Sequence, residues 1–424
     1  MTNGPSLSLW DVTAEERDMG QPLDGDAVAD LAVVGGGFTG LATALFAAER
    51  GMSVHVVEAG RIGQGGSGRA VGLVNAGVWH PPDAVRRSLG DVYGPRFIRL
   101  FGDAPERVFS LIERHQIRCE ATRNGTIHAA HAPRAMAGLA ARHDAWSRLG
   151  APVRLLTRDE VAERTGSTAF HGGLLDDRAG TINPMGYARG LARAARAAGA
   201  VISVETPVRA LSRDGAGWCV TTGRGAVRAG RVVLATNAYT GSLWPGLDRV
   251  FTPISYFQLA TRPLGDIADR ILPGGEGLWD TGRIMFSLRK EAGNRLVIGS
   301  MGAVIGSAER GLSRSWALRR LSRLFPDLGP VAFEEAWSGR IAMTPDHLPR
   351  LCRLDDGVFT AIGYNGRGIT TGTVMGDVLA RLAAGETPED LPLPLTTPRP
   401  VRSAGVMAPL YSAAFAVNQA IRAL

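Results

Sequence analysis

The sequence is poor in the residues that stabilise secreted or metal-stapled domains. Its 424 residues include only three cysteines, Cys119, Cys219 and Cys352, which lie far apart. This spacing predicts neither a disulfide framework nor a paired-cysteine metal site. The first residues also lack the basic and then apolar pattern of a secretion signal. We therefore expect a protein of the reducing cytoplasm.

Lysine is almost absent, although the chain is basic overall. Lys290 is the only lysine among 47 basic residues, and the formal net charge is +7. Proteins that bind nucleic acids usually gather basic residues in a patch that neutralises phosphates, whereas the arginines here are spread along the chain. We expect no nucleic-acid partner.

Membrane and metal signals are also weak. The longest uncharged stretch, residues 31–48, could by its length span a membrane, but four of its residues are glycine and its pattern is strand, turn and helix. We expect no transmembrane segment. His128 and His131 form an HxxH pair without neighbouring cysteine or carboxylate ligands, so we expect no bound metal.

The strongest motif that is present is a glycine turn between a strand and a helix. Residues 30–59 have the pattern of one βαβ unit, in which Gly35, Gly37 and Gly40 follow an apolar strand and open a helix. Glycine at these positions permits a tight turn, a close approach of the backbone to a pyrophosphate, and close packing of helix on strand. Glu58 ends the next strand, where a carboxylate can bind ribose hydroxyls. The motif predicts a dinucleotide site, and the alternative is a glycine-rich turn without a ligand.

Two further glycine-rich stretches favour FAD over NAD. An NAD-binding domain would continue with regular βα units, whereas this chain enters a flexible stretch at residues 61–69. Gly363, Gly366 and Gly368 then precede a helix that begins at about Ile369. Such a turn presents backbone N–H groups and a positive helix end, which would stabilise negative charge on a reduced flavin. The alternative is a glycine turn that binds nothing.

The order of these patterns predicts an α/β fold, α+β overall, with a Rossmann-like FAD-binding domain and an interleaved, mainly antiparallel substrate domain. Polarity alternates within residues 251–343, and EAGN predicts a hairpin turn there. We assign residues 28–94, 151–250 and 344–400 to the FAD-binding domain, and residues 95–150 and 251–343 to the substrate domain. Residues 1–27 form an N-terminal extension. Residues 401–424 form an apolar helical tail, which we expect to pack on protein rather than on a membrane.

Seven segments in colinear order resemble blocks of the D-amino-acid oxidase superfamily, and most of all its gamma-glutamylputrescine oxidoreductase branch. They are SLSLWDVTA, GGGFTGLATALFAAERG, EAGRIGQGGSGRAVGLVNAG, TINPMGYARGL, LATNAYTGSLWP, ISYFQLATRPLGD and WSGRIAMTPDHLPRL. The resemblance spans nearly the whole chain. It implies an FAD molecule buried between the two domains.

The resemblance also implies which residues contact FAD. Gly35, Gly37, Gly40 and Glu58 would hold the ADP half, Val208 would touch adenine, and Gly366, Gly368 and Ile369 would meet the pyrimidine edge of the flavin. The full predicted set is Gly35, Gly37, Phe38, Thr39, Gly40, Glu58, Ala59, Arg61, Gly66, Ser67, Gly68, Arg69, Leu73, Val208, Asn237, Gly363, Gly366, Gly368 and Ile369. The sequence offers no identifiable residue for a covalent flavin link, so we expect non-covalent FAD.

The sequence departs from the amino-acid-oxidising relatives at the residue that grips a substrate carboxylate. Ile341 stands where those relatives have an arginine, and Arg340 is one residue earlier. A shift of one residue on a strand turns a side chain to the opposite face, so Arg340 is either a relocated substrate ligand or a structural ion-pair partner. This change favours an amine or an N-substituted compound as the substrate over a simple α-amino acid. No lysine is available where sarcosine-oxidising relatives use one to activate oxygen, and we expect Lys290 to face solvent in its turn.

Oxidation of an amine by hydride transfer requires a positioned substrate and a dry pocket more than a strong base. We select His80, Tyr256 and Arg367 as catalytic candidates, with His80 able to take the amine proton near neutral pH. Substrate-binding candidates are Trp79, Phe257, Arg340, Ile341 and Tyr364. The alternative roles are structural: His80 can brace a turn beside two prolines, and Tyr256 and Phe257 can be core and surface positions of one strand.

The sequence therefore predicts an FAD-dependent oxidoreductase that oxidises a C–N bond of an amine or N-substituted amino acid by hydride transfer to flavin N5. The product imine would hydrolyse. Two alternatives stay open: an NAD-dependent dehydrogenase, and a flavin domain that acts on aminomethyl groups of modified tRNA. The substrate, the electron acceptor (oxygen, a quinone or a carrier protein) and the oligomeric state are not specified by the sequence.

Overall fold

The computed structural model describes residues 7–423. Residues 1–6 of the predicted N-terminal extension and Leu424 of the predicted tail lie outside the described residues. The described chain has ten α-helices: α1 (Leu9–Thr13), α2 (Phe38–Ala48), α3 (Pro82–Gly102), α4 (Ala104–Arg114), α5 (Ala135–Ser147), α6 (Arg158–Thr165), α7 (Pro184–Ala197), α8 (Leu312–Leu324), α9 (Gly368–Ala383) and α10 (Ala404–Ala423). Helix α3 is interrupted at Gly90, where φ is +73°.

Residues 7–423 also form nineteen strands in three sheets. The strands are β1 (Ala27–Val34), β2 (Val54–Val57), β3 (Leu73–Val74), β4 (Thr126–Ala129), β5 (Val153–Leu156), β6 (Gly173–Asp176), β7 (Gly180–Thr181), β8 (Val201–Ser203), β9 (Val208–Asp214), β10 (Gly217–Thr222), β11 (Ala226–Leu234), β12 (Thr252–Thr261), β13 (Gly277–Asp280), β14 (Phe286–Lys290), β15 (Leu296–Met301), β16 (Phe333–Met343), β17 (Arg350–Asp355), β18 (Val358–Ile362) and β19 (Leu395–Thr396).

The first sheet is built on a parallel core. Its order is β19-β17-β18-β11-β1-β2-β8, with β9 and β10 attached beside β11. Strands β18, β11, β1, β2 and β8 run parallel to one another. Residues 31–34 of β1 are all buried, as expected for a strand covered on both faces. Helix α2 crosses from β1 to β2, so the predicted βαβ unit is confirmed, and the carboxyl ends of the parallel strands meet at one edge.

The second sheet has the order β16-β12-β15-β14-β13-β4-β6-β5. All its pairings are antiparallel except that between β4 and β13. The predicted mainly antiparallel sheet is therefore confirmed, and so is the hairpin turn at EAGN, where the Glu291 N–H donates to the Arg295 carbonyl. Lys290 was predicted to face solvent, but the structure does not place it there. It is half-buried, and its ammonium donates to the Ala268 carbonyl at 2.8 Å.

Strands β5 and β6 join the second sheet, where β6 pairs with both β4 and β5. The predicted boundaries placed residues 151–250 in the FAD-binding domain, so these two strands fall on the other side of that boundary. Their short apolar pattern predicts strands but carries no information about the sheet that they join. Sheet membership depends on pairing with β4, which lies far away in sequence.

The tail forms helix α10, which packs on α8 and β12. The buried Gln419 side chain accepts a hydrogen bond from Ser313 Oγ at 2.9 Å and donates one to the Ala303 carbonyl at 3.1 Å. The helix therefore packs on its own chain. Among residues 7–423, no helix is both long and apolar enough to cross a bilayer.

Candidate active site

The site begins where the parallel strands of the first sheet end. Gly35, directly after β1, has φ of +115°, a conformation that residues with a side chain rarely adopt. A Cβ on Gly40 would lie 1.8 Å from the Gly35 carbonyl oxygen. The first turn of α2 thus packs so closely on the turn before it that only glycine fits at Gly40. The N-terminus of α2 opens at this turn.

Glu58 fixes the geometry of this turn. Its Oε2 accepts a hydrogen bond from the Gly36 N–H at 2.6 Å, and its Oε1 accepts one from the Gly60 N–H at 2.9 Å. Burial raises the pKa of Glu58 above its ordinary value, whereas these two backbone donors act in the opposite direction. One carboxylate therefore joins the glycine turn to the end of β2.

The loop of residues 61–69 lies against the same turn. Ser67 Oγ accepts a hydrogen bond from the Phe38 N–H at 3.0 Å. Helix α1 holds this loop from behind, because Ser8 Oγ donates to the Gly68 carbonyl and the Trp10 indole N–H donates to the Ala70 carbonyl, at 2.9 Å and 2.8 Å. The N-terminal segment thus braces the loop that follows the glycine turn.

The third glycine loop leads into α9. Asn365 and Gly366 both have positive φ, +52° and +86°. The Asn365 side-chain oxygen accepts a hydrogen bond from the Thr344 N–H at 2.8 Å, and the Gly363 N–H donates to Asn237 Oδ1 at 3.1 Å. These bonds connect the loop to the end of β16 and to the residues after β11. The N-terminus of α9 consequently opens at the same edge of the sheet as that of α2.

These elements surround one cavity of about 990 Å³. Fifteen of the predicted cofactor residues line it: Gly35, Gly37, Phe38, Thr39, Glu58, Ala59, Gly66, Ser67, Arg69, Leu73, Val208, Asn237, Gly366, Gly368 and Ile369. Of the catalytic and substrate-binding candidates, Trp79, Tyr256, Arg340, Ile341, Tyr364 and Arg367 line it as well. Residues predicted from separate motifs thus meet in one place.

Six predicted site residues are not among the residues that line the cavity in the described chain. Gly40, Gly68 and Gly363 form the backbone behind its wall, and Arg61 pairs with Asp11 at 3.2 Å. The His80 Nε2–H donates a hydrogen bond to the Asp346 carbonyl at 2.8 Å. Phe257 is fully buried against Trp316. The structure therefore gives His80 a turn-bracing contact and Phe257 a core position.

Tyr256 and Phe257 separate because they are neighbours on one strand. The register of β12 against β16 places Tyr256 opposite Gly339, and a Cβ on Gly339 would lie 2.4 Å from the Tyr256 ring. The Tyr256 hydroxyl donates to the Gly66 carbonyl at 3.3 Å. Burial raises the pKa of Tyr256 well above its ordinary value, so the hydroxyl keeps its proton at neutral pH.

One end of the cavity is aromatic and cationic. Arg367 lies over the indoles of Trp79 and Trp279, with its guanidinium carbon 5.0 Å and 5.2 Å from the ring centres. The His128 ring stacks on Trp279, with the two ring centres 3.5 Å apart. Burial lowers the pKa of His128 well below its ordinary value, and Arg142 and Arg367 add to this effect. His128 is therefore neutral at pH 7.

Sequence reasoning missed several residues at this end, among them Gln258 and Trp279. Gln258 is buried, and its side-chain oxygen has no hydrogen-bond partner among residues 7–423. The period of two along β12 places Gln258 on the same face as Tyr256, and a polar residue between Phe257 and Leu259 was the signal available. Trp279 lies on β13, whose sequence carries no motif.

The cavity fits a flavin dinucleotide. Two helix N-termini and the glycine turns supply backbone N–H groups suited to phosphates and to negative charge. Thr236 and Thr240 line the cavity, and their buried hydroxyl oxygens have no hydrogen-bond partner among the described residues. Buried polar atoms without partners are uncommon in folded proteins, so these two and Gln258 are available for a ligand. Among residues 7–423, no group of three or more potential ligands could hold a metal ion.

Comparisons with known proteins agree with this geometry. A family model described as FAD dependent oxidoreductase, DAO, matches residues 30–382. A probable oxidoreductase OrdL of Rhizobium meliloti is 32% identical over 389 residues, which cover 91% of this chain and 90% of that protein. The gamma-glutamylputrescine oxidoreductase of Escherichia coli is 31% identical over 371 residues, 86% of this chain and 85% of that protein.

Solved structures show the same fold. The glycine oxidase of Geobacillus kaustophilus superposes with a TM-score of 0.69 at 25% identity, covering 85% of this chain and 96% of that one. An L-amino acid deaminase of Proteus vulgaris superposes with a TM-score of 0.72 at 17% identity, covering 87% and 96% of the two chains. The second likeness concerns the fold alone.

Proposed function

This chain belongs to the family of FAD-dependent oxidoreductases, and we propose that it oxidises the C–N bond of a small amine or N-substituted amino acid by hydride transfer to flavin N5. The observation that carries the proposal is the shape of this cavity, which joins a glycine-lined dinucleotide end to an aromatic end. The name of the Escherichia coli relative, which specifies gamma-glutamylputrescine, supports a C–N bond as the bond that is oxidised.

FAD in this cavity would supply the hydride acceptor. Gly35, Gly37 and the N-terminus of α2 would hold the pyrophosphate, with Glu58 at the adenosine ribose and Val208 near adenine. Gly366, Gly368 and Ile369, at the start of α9, would face the pyrimidine edge of the flavin. Neither cysteine nor histidine occurs among the described lining residues, which supports non-covalent binding.

The chain's own contribution to the reaction is positioning and exclusion of water. Trp79 and Trp279 meet edge to face at 5.5 Å and form an apolar wall that restricts the orientation of a substrate. Trp79 is itself held by a hydrogen bond from its indole N–H to the Asn365 carbonyl. This hydrogen bond joins the aromatic wall to the loop that precedes α9.

The substrate amine must lose its proton before the hydride leaves. Glu58 is the only carboxylate among the described lining residues, and it lies at the dinucleotide end. Tyr256 keeps its proton, and His80 does not line the cavity. No side chain at the aromatic end is therefore suited to act as the base, so the amine must enter neutral or release its proton to water.

The position of Lys290 supports an electron acceptor other than oxygen. The ammonium of Lys290 donates to the Ala268 carbonyl and is not among the groups that line the cavity. The sarcosine-oxidising relatives are expected to have a cationic lysine beside the flavin. No lysine occurs among the described residues that line the cavity of this chain. A quinone or a carrier protein fits this arrangement better.

The test is anaerobic reduction of the purified flavoprotein. The protein is mixed with polyamines, gamma-glutamyl amines, N-methyl amino acids and D-amino acids while the visible flavin absorbance is followed. We expect one class to bleach the flavin within seconds, and air to restore the colour only slowly. A protein that binds no flavin after reconstitution, or a flavin that no amine reduces, would contradict the proposal; rapid reoxidation with stoichiometric peroxide would instead identify oxygen as the acceptor.

A further inference from the structure

The charges that line the cavity are unbalanced. Glu58 is the only acidic residue in the described lining, whereas four arginines line it: Arg69, Arg283, Arg340 and Arg367. Glu58 is already engaged at the dinucleotide end by two backbone N–H groups. Among the described lining residues, the aromatic end therefore has the positive charge of Arg367 and no carboxylate.

Arg367 is a buried cation at the aromatic end, at 7% exposed. One guanidinium nitrogen donates to the Ala76 carbonyl at 2.9 Å, and Nε has no partner among residues 7–423. The two indoles of Trp79 and Trp279 flank the guanidinium. The planar group is thus held in a fixed orientation at the cavity wall.

The surroundings of Arg367 do not neutralise its charge. Arg142, which donates to the Trp79 and Val78 carbonyls, adds a second positive group. Asp176, the one carboxylate that favours the charged form of Arg367, is already paired with Arg178 at 2.7 Å. A buried cation without a matched anion costs free energy, and an anionic ligand would recover part of that cost. Burial and Arg142 lower the pKa of Arg367 to about 9, so it is still charged at neutral pH.

Arg367 also lies near Ile341, which stands where the amino-acid-oxidising relatives have an arginine. Ile341 Cδ1 lies 3.5 Å from the position of a Cβ on Gly366, the residue before Arg367. The side chain of Ile341, on β16, therefore lies close to the loop that carries Arg367. Arg340, in contrast, is exposed, and its guanidinium carbon lies 5.8 Å from the centre of the Tyr239 ring.

We propose that Arg367 binds an anionic group of the substrate, so that the substrate is an amine that also carries a carboxylate rather than an unmodified polyamine. This inference rests on the proposed function of the same cavity. N-substituted amino acids and amines linked through an amino acid satisfy it. A guanidinium recognises a carboxylate by paired hydrogen bonds of fixed geometry, and the two indoles would maintain that geometry while the apolar part of the amine contacts the aromatic wall.

The test compares one acid with its neutral isostere and does not depend on turnover. Binding of benzoate and benzamide to the FAD-loaded protein is measured by calorimetry at pH 7 for the native protein, Arg367→Gln and Arg367→Lys. We expect benzoate to bind about 10- to 100-fold more tightly than benzamide in the native protein, since hydrogen bonds to charged groups have this strength. Arg367→Gln should abolish the preference, and Arg367→Lys should restore only part of it, because an ammonium lacks the planar fork.

Two controls separate substrate binding from other effects of the charge. Arg402→Gln removes an exposed positive charge outside the cavity and should leave the benzoate preference unchanged. Sulfite binding reports the electron affinity of the flavin: if Arg367→Gln weakens sulfite binding but leaves the ratio of benzoate to benzamide unchanged, Arg367 serves the flavin and the inference is wrong. A native preference below about tenfold also overturns it, even if both variants fail to fold.

The same experiment distinguishes this inference from the proposed function. Anaerobic reduction is measured with an N-alkyl amino acid, its amide and the corresponding decarboxylated amine. If the decarboxylated amine bleaches the flavin as efficiently as the acid, the anion site is wrong and the function stands. If benzoate binds through Arg367 but no amine reduces the flavin, the anion site stands and the function is wrong.

Discussion

The two ends of the cavity are built in different ways. The dinucleotide end is made by backbone that is nearly continuous in sequence, since Gly35, Gly40 and Glu58 lie within one βαβ unit. The aromatic end gathers side chains from distant segments, with Trp79 before α3, Trp279 on β13 and Arg367 before α9. A site made from continuous backbone can be predicted from a motif, and it tolerates little change. A site made from side chains of distant segments has no recognisable sequence motif. Substitutions there should weaken ligand binding by graded amounts.

The largest effect is expected at Gly40, where the backbone leaves no room. In Gly40→Ala the new Cβ would lie 1.8 Å from the Gly35 carbonyl, and neither backbone segment can move aside cheaply. We expect a cost of about 3 kcal/mol, which corresponds to about a 100-fold loss of FAD affinity or failure to fold. FAD binding is measured by fluorescence quenching, with circular dichroism to assess folding.

The matched control is Gly138→Ala in helix α5, where a Cβ would meet no atom within 4 Å. Alanine favours helix over glycine by up to about 1 kcal/mol, so this variant should gain stability and bind FAD normally. Normal FAD binding by Gly40→Ala would show that the close approach at the glycine turn is not required.

The second effect concerns Glu58, which accepts one hydrogen bond through each carboxylate oxygen. In Glu58→Gln the amide nitrogen must face the N–H of Gly36 or of Gly60, which leaves a donor without an acceptor. This should cost about 1–3 kcal/mol, or about 10- to 100-fold in FAD affinity, while the ratio of benzoate to benzamide affinity stays unchanged.

Glu49→Gln is the corresponding control, because Glu49 lies at the other end of α2 and pairs with Arg114 on the surface. Exposed ion pairs contribute little, so FAD affinity should hardly change. Equal losses in the two variants would show that Glu58 acts only through its charge on the domain as a whole.

The same contrast explains how much could be predicted from the sequence. The βαβ unit, the hairpin at EAGN, the mainly antiparallel second sheet and the glycine turns of the dinucleotide end follow from local patterns, and the structure has them. The sheet membership of β5 and β6 does not follow, because pairing with β4 joins segments that are far apart in the chain. Local patterns define a strand but not its neighbour.

The aromatic end shows why side chains are harder to predict. Tyr256 and Phe257 are both aromatic, so their own residue types do not decide which of them faces the cavity; the register against β16 decides it. Trp279 has no motif at all. His80 was a reasonable base by its residue type, but its contact with the Asp346 carbonyl depends on a loop that is distant in sequence.

A smaller effect should appear as a pH dependence at the aromatic end. Burial lowers the pKa of His128 below its ordinary value of 6.5. Below that pH the unfolded chain takes up a proton at His128 that the folded chain does not, so stability falls as the pH falls, by up to about 1.4 kcal/mol for each pH unit. In His128→Gln this contribution is absent, and thermal unfolding between pH 7 and pH 5 should depend less on pH than in the native protein. An equally steep loss in the variant would show that His128 accepts a proton in the folded state.

The smallest effect is expected at Tyr256, whose hydroxyl connects the two ends through the Gly66 carbonyl at 3.3 Å. Tyr256→Phe removes one long hydrogen bond at a cavity wall that water can reach, so the cost in stability and FAD affinity should be about 1 kcal/mol or less. Because burial keeps Tyr256 protonated, the pH profile of flavin reduction should not change.

The control is the adjacent Phe257→Leu. It should lower stability by a comparable or larger amount, since Phe257 packs edge to face on Trp316 at 5.1 Å, yet leave the FAD affinity of the folded protein unaltered. If Tyr256→Phe instead slows reduction more than about tenfold at constant KM and FAD affinity, the hydroxyl contributes in the transition state. The two ends would then be coupled through a catalytic group, and the division between a backbone-built and a side-chain-built end would no longer hold.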